Sequence, residues 1–290
     1  MIDWQDIQYF AVLARTGSLS AAARDLGVDH ATIGRRVASL EKALALRLVT
    51  RLPRSIALTP AGVEIAGLAE HLVVAAGAVE RRARALAGPV GATVRISAPP
   101  ALAARVIAPR IVDFHRAHPA IILVLAGATH HAALDRGEAE IAVRLHRPED
   151  PDLIVKRIGV MRFALYATPE NATKPESDWE FIGYDAALEH VTQQVWLRTL
   201  LAGRSTVFQS SDLFGQQEAA RAGLGAVILP SVIGDRDEAL VRLPTGRQPP
   251  TRDIWIVTYP DLRRSAAVRI ALDFLASTIG DACPILPPTR

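Results

Sequence analysis

The sequence predicts an α/β protein with an all-α N-terminal part, and three observations carry that expectation. Residues 1–60 place apolar side chains at helical spacing between glycine stops. Residues 60–87 continue without an internal proline, their apolar residues following steps near three and four. Beyond Gly88-Pro89-Val90-Gly91 short β-like runs alternate with amphipathic helices, the pattern of an α/β domain with a largely parallel sheet.

Taken in order, Ile7, Phe10 and Leu13 share a helix face and Gly17 supplies a stop. Ser18 or Ser20 caps a second helix, in which Ala22, Ala23 and Leu26 line up before Gly27. Asp29 caps a third, where Ile33, Val37 and Leu40 form a buried stripe while His30, Thr32, Arg35 and Arg36 point elsewhere. Two short helices joined at a glycine predict a helix-turn-helix. Residues 46–50 and 55–58 flank Leu52-Pro53-Arg54 and predict a small hairpin, or wing, with Arg51 and Arg54 at its tip. In 60–87, Ile65, Leu68, Leu72, Ala75, Val79 and Leu86 form a candidate coiled-coil seam, interrupted by Arg82. Gly67 and Gly77 each cost roughly 1 kcal/mol in a helix interior, so this helix needs a partner to lean on. The β-like runs are 94–97, 121–125, 140–144, 163–167, 226–229 and 254–258, with a helix expected over 101–118 and a loose proline-containing tail over 283–290.

With 290 residues the chain is long enough for one large or about two ordinary domains. The formal charge of +3 lies in residues 1–60, which hold eight basic against five acidic side chains. The location of that excess matters more than its size. The single Cys283 excludes a disulfide framework and any multi-thiolate metal site, and a reducing, cytoplasmic setting is expected. No stretch has the apolar length of a membrane span, and the N-terminus lacks the marks of a signal peptide. His130-His131 and the His115/His118 pair lack a third ligand, Gly223-Leu224-Gly225 precedes a strand rather than following one, and no nucleophile elbow or distinctive carboxylate pair is present. No metal, cofactor or catalytic residue is therefore expected, and the chain does not read as an enzyme.

The stretch Phe10-Ala11-Val12-Leu13-Ala14-Arg15-Thr16-Gly17-Ser18-Leu19-Ser20-Ala21-Ala22-Ala23, followed by Leu26-Gly27-Val28, by residues 33–41 and by Leu58-Thr59-Pro60-Ala61-Gly62, resembles the N-terminal domain of LysR-type transcriptional regulators. Arg95-Ile96-Ser97-Ala98-Pro99, residues 137–144, Tyr166-Ala167-Thr168-Pro169 and residues 222–230 are similar to that family's effector-binding domain. The resemblance implies a winged helix-turn-helix over 1–60, a linker and dimerisation helix over 61–90, and a two-lobed, periplasmic-binding-protein-like effector domain over 91–290. Its first lobe would take about 91–164 and 263–290, its second about 165–262. The implied partners are double-stranded promoter DNA, a small-molecule effector, a second or further copies of the chain as homodimer or homotetramer, and RNA polymerase when activating.

Carried over by position, the resemblance puts His30, Ala31, Thr32, Arg35 and Arg36 toward the major groove, where arginine can hold guanine bidentately and the alanine or threonine methyl can meet thymine. Ser18, Ser20, Arg51 and Arg54 fall where phosphates are held, fixing register without reading sequence. Two positions depart from the pattern: His30 stands where glutamine is common, and Gly34 where a small polar residue is. For the effector, the implied residues are Ala98, Pro99, Pro100, Thr129, Arg144, Ser210, Ser211 and Asp212, with Trp196 as a flat wall. Here too the pattern differs, since Ala98-Pro99-Pro100-Ala101 lacks the usual hydroxyl and its prolines remove backbone donors. Two competing readings are an enzyme using the helical part as a dimer handle and a ligand-binding module without DNA binding.

Overall fold

In the computed structural model, which describes residues 2–51, 56–86, 92–127 and 139–285, each of the first three helices starts on a side-chain cap. The first, α1 (Trp4–Thr16), starts at Asp3, which accepts the Gln5 N–H, and Gly17 ends it in the left-handed region at φ 66°. Ser18 Oγ accepts the Ala21 N–H at 3.1 Å to start α2 (Leu19–Leu26), and Asp29 accepts the Thr32 N–H at 2.6 Å to start α3 (His30–Leu44). Phe10, Leu13, Ala22, Ile33, Val37, Leu40 and Leu48 bury the faces that these helices share. Strands β1 (Val49–Arg51) and β2 (Ile56–Leu58) pair antiparallel as the wing, with Val49 opposite Leu58. Glu41 holds the wing's entry by accepting the Leu48 and Val49 N–H groups at 2.8 and 3.2 Å.

Proline at its first position opens α4 (Pro60–Leu86). Ile65, Ala66 and Ala69 pack against the core of the first three helices, and the whole stretch Met1–Arg84 forms one compact unit. Gly62 is required by close approach, because a Cβ there would overlap the Leu48 carbonyl.

The second unit begins at Ala85 and holds the remaining described residues. Its strands are β3 (Ala92–Ala98), β4 (Ile121–Gly127), β5 (Ile141–Arg144), β6 (Ile154–Ala167), β7 (Phe181–Gly183), β8 (Thr206–Gln209), β9 (Ala226–Pro230), β10 (Val241–Arg242) and β11 (Thr251–Thr258). They form one sheet in the order β4-β3-β5-β11-β6-β9-β7-β8, with β10 beside β6. The sheet is less uniformly parallel than the sequence suggests. β3 is parallel to β4 and β5, and β7 to β8 and β9, but β11 is antiparallel to β5 and β6, and β6 is antiparallel to β9. The reason is topological: β6 carries the chain from one lobe into the other and β11 brings it back, so the two run opposite to each other. Where they pair, Ile254 faces Gly159 and Trp255 faces Arg157, which leaves Ile158 as an extra residue, a bulge that bends the shared strand.

Two further expectations are corrected. The helix expected over 101–118 is broken into Pro100–Leu102, a π-helical turn Ala103–Ile107, a 3-10 turn Ala108–Arg110 and the helix Ile111–Ala117, because Pro109 lacks an N–H and cannot continue the ladder. The tail is not loose at its start. Cys283 is buried at the end of helix Ala266–Ala282, its carbonyl accepts the Val160 N–H at 2.9 Å, and Arg162 donates to the Pro284 carbonyl at 3.0 Å.

Replacing Gly62 by alanine is expected to cost about 1–3 kcal/mol through overpacking against Leu48, while Gly246→Ala, which meets open space, leaves stability unchanged. Thermal melts followed by circular dichroism check this; equal melting temperatures for the two variants would remove the claimed contact between α4 and Leu48.

Candidate functional site

The first candidate surface is the outer face of α3. His30, Ala31 and Arg35 are exposed and Thr32 is half-buried, while Ile33, Val37 and Leu40 on the opposite face are 0–3 % exposed. Arg35 Nη2 donates to Thr32 Oγ1 at 2.8 Å, so the two side chains stand together at the surface. Asp29 lies just before them, its carboxyl held below the usual range by the Thr32 N–H that it caps.

Arg36 takes a different direction. Its Nη1 lies 3.1 Å from Asp6 and 3.2 Å from Asp3, its Nη2 donates to Gln5 Oε1 at 2.7 Å, and its guanidinium stands 5.9 Å from the Tyr9 ring centre. The hydrogen bond to Asp6 raises its pKa above the ordinary arginine value. In this structure Arg36 therefore clamps α3 to the start of α1. Ser18 Oγ accepts the cap N–H of α2, leaving its hydroxyl hydrogen available, and Ser20 is exposed on the same turn. Arg51 ends β1; its side chain and Arg54 lie outside the described residues.

The second candidate surface lies where the strands of the two lobes end. On the first lobe, Ala98 closes β3 fully buried and Pro99 and Pro100 follow half-buried, with no side-chain cap on the helical turn that they begin. Arg144 closes β5, is 8 % exposed, and donates to Ser97 Oγ at 3.2 Å and to the Val143 carbonyl at 2.9 Å. Ser97 is thus a site neighbour that sequence reasoning missed, since nothing local marks it. Thr129 lies outside the described residues.

On the second lobe, Asp212 caps the helix Leu213–Arg221 through the Phe214 and Gly215 N–H groups, and Ser210 Oγ accepts the Asp212 N–H at 3.1 Å. Ser211 is exposed beside them. The Ser210 N–H donates to the Gly183 carbonyl at 3.1 Å, which sets this turn against Tyr184. Trp196, on helix Thr192–Leu201, is 8 % exposed and packed into the core, more a buried wall than an open one. The structure therefore gathers Ser210–Asp212 with Tyr184 on one lobe and groups Ala98, Pro99, Pro100 and Arg144 on the other. The lobes also touch directly. Arg105 stands 5.4 Å from the Phe214 ring centre, and Arg236 donates to the Arg105 carbonyl at 3.4 Å.

Among the described residues no cluster of histidine, cysteine and carboxylates is arranged to hold a metal, and no helix is long and apolar enough to cross a membrane. Burial pushes the Cys283 thiol up to about 11, so the reactive thiolate is scarce near neutral pH.

Comparison with known proteins matches two stretches of the chain to family descriptions. Residues 4–63 match the bacterial regulatory helix-turn-helix protein, lysR family, and residues 87–279 match the LysR substrate binding domain. The Mau operon transcriptional activator of Paracoccus denitrificans is 28% identical over 97% of this chain and 98% of its own length. The regulator CrgA of Neisseria meningitidis serogroup C is 24% identical over 96% of this chain and 97% of its own. Among solved structures, the full-length Vibrio cholerae virulence activator AphB is similar with a TM-score of 0.58 at 24% identity, covering 96% of this chain and 99% of that one. ArgP from Mycobacterium tuberculosis has a TM-score of 0.56 at 20% identity, covering 100% of both chains. These structural likenesses support the fold. Because the substrate-binding match alone takes in more than half of the chain and the helix-turn-helix match takes in its first helices and wing, the protein belongs to the LysR family of DNA-binding transcriptional regulators.

Proposed function

We propose that this regulator reads promoter DNA with His30, Ala31, Thr32 and Arg35, works as a homodimer or homotetramer, and is switched by a small molecule held between the lobes of its second unit. The observation that carries the reading is the outward face of α3, with His30, Ala31 and Arg35 exposed and Thr32 half-buried beside them, backed by a buried stripe that fixes which face looks outward. A helix presented in this way fits the major groove, and Arg35 with Thr32 offers guanidinium and hydroxyl donors to base edges. Ser18, Ser20, Arg51 and Arg54 hold phosphate. Arg36 acts through the fold, keeping α3 on α1, rather than through a base.

Self-association is assigned to α4. Leu68, Leu72 and Val79 are 64 %, 47 % and 70 % exposed, and with Ala75 they follow heptad spacing along the helix beyond the point where Ile65, Ala66 and Ala69 pack on the first three helices. A stripe of that length is costly in water and is relieved by a second copy of the same helix. In the second unit, ligand bound between the lobes favours one closure over another and shifts the population of the whole molecule, an effect that requires different affinity for the two states. The protein acts in the cytoplasm without catalysing a reaction, and when it activates, RNA polymerase is its further partner.

Three outcomes are expected. In gel-shift titrations with a high-affinity duplex selected from a random pool, the logarithm of the affinity falls linearly with the logarithm of salt concentration; a flat response would count against the phosphate contacts. Arg35→Ala weakens the selected duplex on the order of ten- to a hundredfold more than random DNA with an unchanged melt, Arg54→Ala weakens both duplexes alike, and Arg36→Ala lowers the melting temperature. Equal losses on both duplexes for Arg35→Ala would remove it from base reading. The double variant Leu68→Asp, Leu72→Asp sediments as a monomer; a persistent dimer would place association elsewhere.

A further inference from the structure

A cavity of about 510 Å³ opens beside β6, the strand that carries the chain from one lobe into the other. It is lined by Arg162 of β6, by Asp235 and Arg236 just after the helix Ser231–Gly234, by Arg242 of β10 and by Cys283 at the end of helix Ala266–Ala282. Neither effector-surface group contributes to its walls: Ala98–Pro100 with Arg144 stands apart from it, and so does Tyr184 with Ser210–Asp212.

Among the described residues those walls carry three guanidiniums and one carboxylate. Arg242 answers the carboxylate, since its Nη2 lies 2.8 Å from both Asp235 oxygens, and the Tyr166 hydroxyl also donates to Asp235 Oδ1 at 2.6 Å. The other two arginines meet carbonyls only. Arg162 donates from Nη2 to Pro284 at 3.0 Å and from Nη1 to Val160 at 3.4 Å, while Arg236 donates from Nη1 to Arg105 at 3.4 Å. A carbonyl satisfies an N–H but cancels no charge, so two cations line one cavity without a carboxylate partner among the described residues. Both are felt at the same wall: burial pushes the Cys283 thiol up, and the Arg162 and Arg236 charges pull it back.

We propose that this cavity is a second ligand site, separate from the cleft, for a small dianion carrying carboxylate or phosphate groups. Arg162 and Arg236 take the two negative charges through their guanidinium forks, leaving the Arg242–Asp235 pair intact. Ser231 Oγ accepts from Arg242 Nη2 at 3.4 Å, so its hydroxyl hydrogen is available to a ligand oxygen. Phe163 and Val232 supply apolar wall for a short carbon body. Arg162 belongs to the strand shared by the lobes, Arg236 to the second lobe and Cys283 to the last helix of the first. A dianion here therefore favours the lobe arrangement in which both arginines reach it, a control exerted from outside the cleft. This goes beyond the cleft reading above and does not rest on it.

The test is calorimetric titration of the full-length protein at constant ionic strength with succinate and with inorganic phosphate, butyrate serving as the singly charged control. Succinate, phosphate or both are expected to bind at least about tenfold more tightly than butyrate and to raise the melting temperature; binding of succinate alone assigns the site to carboxylates, and of phosphate alone to phosphates. Arg236→Gln is expected to weaken the bound dianion about 10- to 100-fold. Arg264→Gln, which removes an equal charge from an exposed position outside the cavity, is expected to bind like the wild type. Arg162→Gln is expected to match Arg236→Gln; should it melt early through loss of the Pro284 contact, Arg236→Gln alone decides. Binding of neither dianion, butyrate binding as tightly, or equal binding by the wild type and Arg236→Gln overturns the site. In each of those cases retained gel-shift affinity for the selected duplex leaves the regulator reading standing, whereas a wild-type chain that does not retain the duplex overturns that reading instead.

Discussion

The N-terminal unit depends on one buried carboxylate. Asp6 is 3 % exposed on α1, and its charge is met by Arg36 of α3 at 3.1 Å. Taking Arg36 away strands Asp6 in a place where water cannot solvate it, which is why breaking such a pair costs more than its formation gains. With Asp3, Gln5 and the Tyr9 ring also on Arg36, the contact settles the rotation of α3 about its own axis. That rotation decides which residues face outward. Arg35 and Arg36 are adjacent in the chain, yet successive helix residues point about 100° apart, so one belongs to the scaffold and the other to the surface.

How much of this was legible in the sequence follows from how local each signal is. The caps at Ser18 and Asp29, the stop at Gly17 and the stripe of Ile33, Val37 and Leu40 are properties of a few consecutive residues, and the structure has them where the spacing puts them. Strands β5 and β9 are buried on both faces, so their continuous apolar runs stand out. The strands that escaped notice lack that signal: β7 has only three residues and β10 two, β8 is largely exposed, and the first part of β6 contains Lys156, Arg157 and Gly159. Pro109 was visible but was read through, because the apolar periodicity on either side of it continues.

The sites divide along the same line. The row on α3 was legible because a helix face is a local object. The approach of Gln193 to the Tyr184 hydroxyl was not, since a helix start and a strand end meet only in the finished topology. Family likeness pointed to the lobe edges at Ala98–Pro100 and Ser210–Asp212. The irregularity at Ile158 and the close approach of Cys283 to Gly159 belong to the crossing between lobes, where the backbone bends and is also held from outside.

Trp255 lies at that crossing. It is half-buried on β11, paired in register with Arg144, and the Arg147 guanidinium stands 5.6 Å from its ring centre. Indole emission depends on the charges and water around the ring, and this ring sits between a cation and the strand shared by both lobes. The molecule therefore carries an intrinsic optical gauge of lobe movement, readable at long excitation wavelengths without attaching a dye, provided that Trp4, Trp179 and Trp196 are first replaced to silence the background.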